Sequence, residues 1–153
     1  MKKAFSWFLM GLFALTFAAC SGDDDFNMEE TTAGGYNATV DQAVGKWQRI
    51  TKVGTKVLNG KVKDTDRDSD PDRLVIEADG TWEYYDYDSE KGYELEGRGR
   101  LVVENGVIKG NGRQTFTAAF ITNNILTIHY NEPDYDDGKT YTKYYKVTFT
   151  KIQ

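Results

Sequence analysis

The chain has 153 residues, 39% of them hydrophobic and 28% charged, with a formal net charge of −5. That length supports one domain with one core, and the composition excludes a chain that is disordered or membrane-embedded throughout. The acidic balance also argues against nucleic acid, or anionic headgroups held by a basic patch, because the long-range field repels both.

Residues 1–20, "MKKAFSWFLMGLFALTFAAC", open with Lys2 and Lys3, continue with an apolar run and close with Ala18 and Ala19 before Cys20. This is the layout of a secretory signal. The apolar run is shorter than the roughly 20 residues an α-helix needs to cross a bilayer, so cleavage is expected rather than a permanent span. Cys20 is the only cysteine and has no intramolecular partner for a disulfide. The stretch "LTFAAC" resembles the lipobox of bacterial lipoproteins, with Phe17 where that family more often has leucine. The resemblance implies that residues 1–19 are removed, that Cys20 carries lipid, and that the membrane partner is reached through that lipid. Two or three acyl chains hold firmly at about 0.8 kcal/mol per buried CH₂.

Loss of residues 1–19 leaves 17 basic against 24 acidic residues, a net charge of −7. Residues 20–39 are then expected to be the lipidated cysteine and a flexible acidic tether, with an r.m.s. reach of about 25 Å. The run Asp23–Asp25 behind Cys20 resembles the export signal that routes some Gram-negative lipoproteins to the outer face of the outer membrane. Its plain alternative is a solvated spacer.

Residues 40–153 are expected to form the domain. After "TVDQAVG", which reads as one short helical turn, the pattern alternates with a period of two. Strands are expected over 46–53, 73–78, 81–87, 92–103, 106–110, 113–122, 124–130 and 139–152, with 55–63 as a further one. In 92–103, Tyr93, Leu95, Gly97, Gly99, Leu101 and Val103 are expected on the buried face, and Glu94, Glu96, Arg98 and Arg100 on the wet one. In 139–152, Tyr141, Tyr145, Val147 and Phe149 oppose threonines and Lys146. Asp79-Gly80, Asn105-Gly106, Asn111-Gly112, Asn123-Asn124 and Asp137-Gly138 are expected to turn the chain. The fold class is therefore all-β, an antiparallel up-and-down meander of eight or nine strands, closed into a barrel or, alternatively, folded as a sandwich.

"GKW" (45–47), followed by "LVIEADGTWEYYDY" (74–87), resembles the opening of lipocalins and of the small lipocalin-like domains of bacterial lipoproteins. The resemblance implies a barrel in which Gly45 and Trp47 form the structural motif, Trp47 packs across the closed end, and Lys151 stands loosely for a C-terminal arginine.

Candidate chemistry is sparse. "DTDRDSDPDR" places Asp64, Asp66, Asp68, Asp70 and Asp72 at alternate positions. Read from Asp66, the residues Asp66, Asp68, Asp70 and Asp72 occupy calcium-loop positions one, three, five and seven, with Glu77 at twelve. Pro71 stands where such a loop needs glycine, so calcium is the minor reading and a mobile, solvated loop the major one. His129 is the only histidine, expected to face solvent or a neighbouring side chain while Leu126, Ile128 and Tyr130 take the buried face, and no histidine pair or cysteine cluster suits a transition metal. No enzyme signature is present, and no cofactor is expected apart from that calcium reading.

Tyr85, Tyr87 and Tyr144 are expected on the outer face, where they either pair across strands or stack on a sugar or peptide. Gly97 and Gly99 either leave a hollow for a ligand or relieve a bend. The functional expectation is a lipid-anchored, non-enzymatic envelope protein whose barrel binds a small apolar or amphipathic ligand or a protein partner. The alternative is a structural, interaction or glycan-binding module with a filled core. An enzyme without a recognisable motif comes third.

Overall fold

A computed structural model describes residues 39–112 and 114–153. The signal segment, Cys20 and the tether up to residue 38 lie outside the described residues. One helical turn, α1 (Val40–Ala43), precedes nine strands. In chain order these are β1 (Gly45–Leu58), β2 (Lys61–Asp68), β3 (Arg73–Ile76), β4 (Thr81–Asp88), β5 (Gly92–Glu104), β6 (Val107–Gly112), β7 (Phe116–Ile121), β8 (Ile125–Asp136) and β9 (Lys139–Ile152). Every pairing is antiparallel.

The meander closes. β1 pairs with β9 from Lys46↔Ile152 to Val57↔Thr142, joining β1, β3, β4, β5, β6, β7, β8 and β9 into an eight-stranded barrel. A sandwich is thereby excluded. The ninth strand, β2, does not enter the ring in its own right: β3 takes the first part of one edge of β1 (Gly45–Gln48), and β2 takes the later part (Lys52–Leu58) of the same edge. Along that edge β2 and β3 follow one another with a short connection between them.

Turn chemistry explains much of the path. Asn105-Gly106 and Asp137-Gly138 have both φ angles positive, the signature of a tight hairpin turn. Asn59-Gly60 does the same and divides the expected 55–63 strand between β1 and β2. Asn111-Gly112 does not turn. It ends β6, pairing with Arg100 and Gly99. Asp134–Asp136, just ahead of the Asp137-Gly138 turn, belong to β8.

The core lies low in the barrel. Trp47 and Phe149 are fully buried, with Leu74, Ile76, Trp82, Ile108, Leu126, Ile128 and Val147 around them. Trp82 meets Phe116 edge-on at 5.2 Å between ring centroids. α1 closes this end: Trp47 Nε1 donates to the Ala43 carbonyl at 2.7 Å, and Lys151 Nζ lies 5.1 Å from the centroid of the Trp47 ring. Lys151 thus covers Trp47 as a cation over an indole face.

Gly97 and Gly99 do not leave a hollow. A Cβ on Gly97 would stand 3.5 Å from the Trp82 ring, and one on Gly99 would overlap the Asn111 carbonyl. The indole thus fills the space beside Gly97 to ordinary contact, whereas Gly99 is required by the close approach of β6.

Two bulges redirect side chains. In β1 the register slips between Arg49 and Thr51, leaving Ile50 45% exposed on the outside. In β5 it slips at Glu96, since Tyr84 pairs with Gly97 but Tyr85 pairs with Leu95. Alternation is therefore not continuous through 92–103. Gly97, Gly99 and Leu101 face the core, whereas Tyr93 and Leu95 emerge on the outer face, where Leu95 is 49% exposed. Val103 is also exposed, near the end of the strand.

Candidate functional site

Two polar assemblies stand out, one inside the barrel above the apolar core and one on its outer wall. The inner one is centred on Arg49, whose inward direction follows from its pairing opposite Phe149 before the Ile50 bulge. Its side chain is 3% exposed. Nη1 lies 2.6 Å from Asp72 Oδ2, Nη2 lies 2.7 Å from Asp68 Oδ2, and Nε donates to the Asp70 carbonyl at 2.7 Å.

Asp72 is the hub on the carboxylate side. It is 1% exposed and accepts the Tyr84 hydroxyl at 2.5 Å and the Tyr87 backbone N–H at 3.0 Å. That N–H lies beyond the Arg73↔Tyr85 end of the β3–β4 ladder, so the carboxylate stands in for a missing strand partner. Burial pushes the Asp72 carboxyl above its ordinary value, while Tyr84, the Tyr87 N–H and Arg49 pull it back. Desolvation acts on Asp68 in the same sense, yet the Asp70 N–H and the Arg49 charge hold it below the usual range. Burial, then the bond to Asp72, drives the Tyr84 phenol strongly upward.

The aspartate segment is thus a strand and a clamp. Asp64, Asp66 and Asp68 lie in β2, paired with β1. Asp68, Asp70 and Asp72 surround the Arg49 guanidinium, and Asp66 is ion-paired with Lys143 of β9. The solvated-loop expectation is corrected: repulsion along one strand face is offset by cations from β1 and β9. Glu77, the twelfth position of the calcium reading, lies past the end of β3 in an exposed turn. Among the described residues no group of three or more His, Cys, Asp or Glu is arranged to hold a metal ion.

Above Arg49 the open end is aromatic and charged. Tyr130 and Tyr145 stack with centroids 4.6 Å apart, and the Tyr145 hydroxyl donates to Glu132 Oε1 at 2.6 Å. Lys52 Nζ lies 4.8 Å over the Tyr145 ring, and Lys56 lies 4.3 Å over Tyr141 while pairing with Asp134 and Asp136. Burial drives the Tyr130 and Tyr145 phenols upward, reinforced by nearby carboxylates.

The outer assembly lies on the β4–β5 hairpin. Tyr85 and Tyr87 occupy alternate positions of β4, opposite Leu95 and Tyr93. The Tyr87 and Tyr93 rings are 5.2 Å apart and tilted, and the Arg73 guanidinium carbon lies 3.9 Å over the Tyr93 centroid. The Tyr85 hydroxyl donates to Glu83 at 2.5 Å. The Glu96 bulge builds this face, because without it Tyr93 and Leu95 would point inward.

Of the tyrosines expected outside, the fold brings Tyr85 and Tyr87 together. Tyr144 lies on β9, separated from β4 by β1 and β3, and does not join them. Sequence reading missed Arg49, Arg73 and the outward turn of Tyr93. An arginine in an alternating strand carries no local sign that it faces inward, and a bulge carries no composition of its own. The one available signal was Arg49, a basic residue two positions after Trp47 and so on the same strand face.

No protein-family model matches the chain, and no curated protein is significantly similar to it. The class defined by the coordinates is a closed eight-stranded antiparallel barrel with one added strand, the architecture that the lipocalin resemblance implied.

Proposed function

We propose that this is a lipid-anchored, non-enzymatic binding module of the cell envelope that engages a saccharide through the outer tyrosine face of β4 and β5. The observation that carries the reading is that grouping of Tyr85, Tyr87 and Tyr93 on one outer strand face, with Leu95 and Arg73 beside them. Tyrosine rings offer apolar faces to the C–H side of a sugar and hydroxyls to its polar edge. The barrel interior supports this choice over a small apolar ligand. Trp47, Trp82, Phe116 and Phe149 fill the lower layer, and the Arg49 clamp lies across the layer above.

Anchoring rests on Cys20 and places the module in the outer membrane, with its outer face as the export-signal reading. Replacing Cys20 by alanine is expected to release the protein from the membrane fraction. Full-length protein in nanodiscs is expected to bind members of a panel of neutral and acidic polysaccharides, with binding lowered by Tyr87→Ala and Tyr93→Ala. Binding unaffected by either change would overturn the outer-face reading.

A ligand at the open end is the second reading, favoured by Lys52, which lies over Tyr145 without a carboxylate partner among the described residues. Native mass spectrometry of the same preparation separates the two. A retained small molecule, displaced by Lys52→Ala but not by Tyr87→Ala, would favour the open end.

A further inference from the structure

We infer that the β4–β5 outer face selects an acidic saccharide, with the Arg73 guanidinium receiving the sugar carboxylate and Tyr93, Tyr87 and Tyr85 receiving ring faces. This rests on the proposed outer-face site and adds the chemical class of its ligand.

Arg73 is the reason. Carboxylates pair with Arg49, Lys56, Lys91, Lys109 and Lys143, yet among the described residues Arg73 has no carboxylate partner, although the chain is acidic overall. Its Nε is buried with no hydrogen-bond acceptor. Among the described residues, the Tyr93 ring is what holds the guanidinium. A guanidinium is planar and carries its Nη donors in the plane of the fork, where a carboxylate can be met side-on. The contrast with Arg49 is direct, because there every edge of the fork is taken by the chain.

The neighbouring charges are already engaged. Glu83, the acidic residue beside the patch, accepts from Tyr85 and stands opposite Arg98 in the β4–β5 register. The hydroxyls of Tyr87 and Tyr93 have no hydrogen-bond partner among the described residues, which leaves them for sugar hydroxyls. An acidic peptide would satisfy the cation equally, but two unengaged phenols over tilted rings match a polyol better than an apolar side chain.

The test uses full-length protein in nanodiscs, titrated with polygalacturonate, with the same polymer fully methyl-esterified, and with polyglutamate. Polygalacturonate is expected to bind about tenfold or more tightly than its ester, on the scale of a charge-assisted hydrogen bond. Arg73→Gln should remove that difference, and Arg73→Lys should restore it in part. Equal binding of acid and ester overturns the inference and leaves the saccharide site standing. Polyglutamate binding at or above the strength of polygalacturonate overturns it in favour of an acidic peptide. If no polymer binds, the inference falls, and the broader polysaccharide panel with Tyr87→Ala and Tyr93→Ala decides whether the outer-face site falls with it. The ester comparison on the unaltered protein keeps the test decisive even if an Arg73 variant folds poorly.

Discussion

Arg49 and Asp72 face each other across 2.6 Å in the barrel interior, with side chains 3% and 1% exposed. Arg49 comes from the first strand and Asp72 from the residue that leads into β3. Their pairing fixes where β2 ends and β3 begins along the shared edge of β1, since the Asp72 carbonyl also accepts the Arg49 backbone N–H at 2.8 Å.

Breaking that pair from one side leaves a buried charge without compensation. Arg49→Met is expected to destabilise the domain by about 3–5 kcal/mol, and adding Asp72→Asn to recover part of the loss. Urea unfolding followed by tryptophan fluorescence measures both. A double variant no more stable than Arg49→Met would show that Arg49 acts through Asp68 and the Asp70 carbonyl instead.

The closed end separates a packing contribution from a cation–π one. Trp47→Ala is expected to cost about 3–5 kcal/mol, because it empties the layer on which α1 rests. Lys151→Ala should cost about 0.5–1 kcal/mol, since Lys151 is exposed and only its contact with the indole face is lost. Thermal melts of the two variants should rank them in that order.

His129 supplies a pH dependence. Desolvation, then the nearby Lys146 charge, lowers its pKa from 6.5 to about 4, and neither ring nitrogen has a hydrogen-bond partner. The folded state therefore favours neutral imidazole. Its contribution is present above the unfolded value of 6.5 and is lost as pH falls toward about 4. The expected loss is about 2 kcal/mol, less than full linkage because His129 as a whole is only part-buried. His129→Leu should flatten the stability profile over that window relative to the parent protein.

Calcium is expected to leave the melting temperature unchanged at millimolar concentration, because Asp68, Asp70 and Asp72 surround Arg49 and Asp66 is paired with Lys143. A clear upward shift would mean that the ion displaces the guanidinium.

Much of this fold was legible along the chain wherever one strand face is buried throughout. Residues 139–152 alternate cleanly, and Tyr145, Val147 and Phe149 are the buried set. The Asn105-Gly106 and Asp137-Gly138 turns were legible from their residue pairs, whereas Asn111-Gly112 ends a strand and Asn59-Gly60 turns where a strand was expected. Residues 92–103 misled because a one-residue bulge at Glu96 reverses the faces without altering composition. The aspartates misled because their partners are distant in sequence: Arg49 precedes Asp68 by 19 positions, and Lys143 follows Asp66 by 77. Of the candidate site, alternation placed Tyr85 and Tyr87, but Tyr93 needed the bulge and Arg73 needed the ring beneath it.

The β1–β9 seam has a consequence for biogenesis. Lys46 pairs with Ile152, so the first strand of the barrel waits for the last before either has its full set of backbone partners. Contacts of such long sequence separation form slowly. A chain emerging from its N-terminus cannot shut the ring until β9 is free, so the barrel stays open until that strand has been made. The domain acquires its final shape only once β1 and β9 can meet.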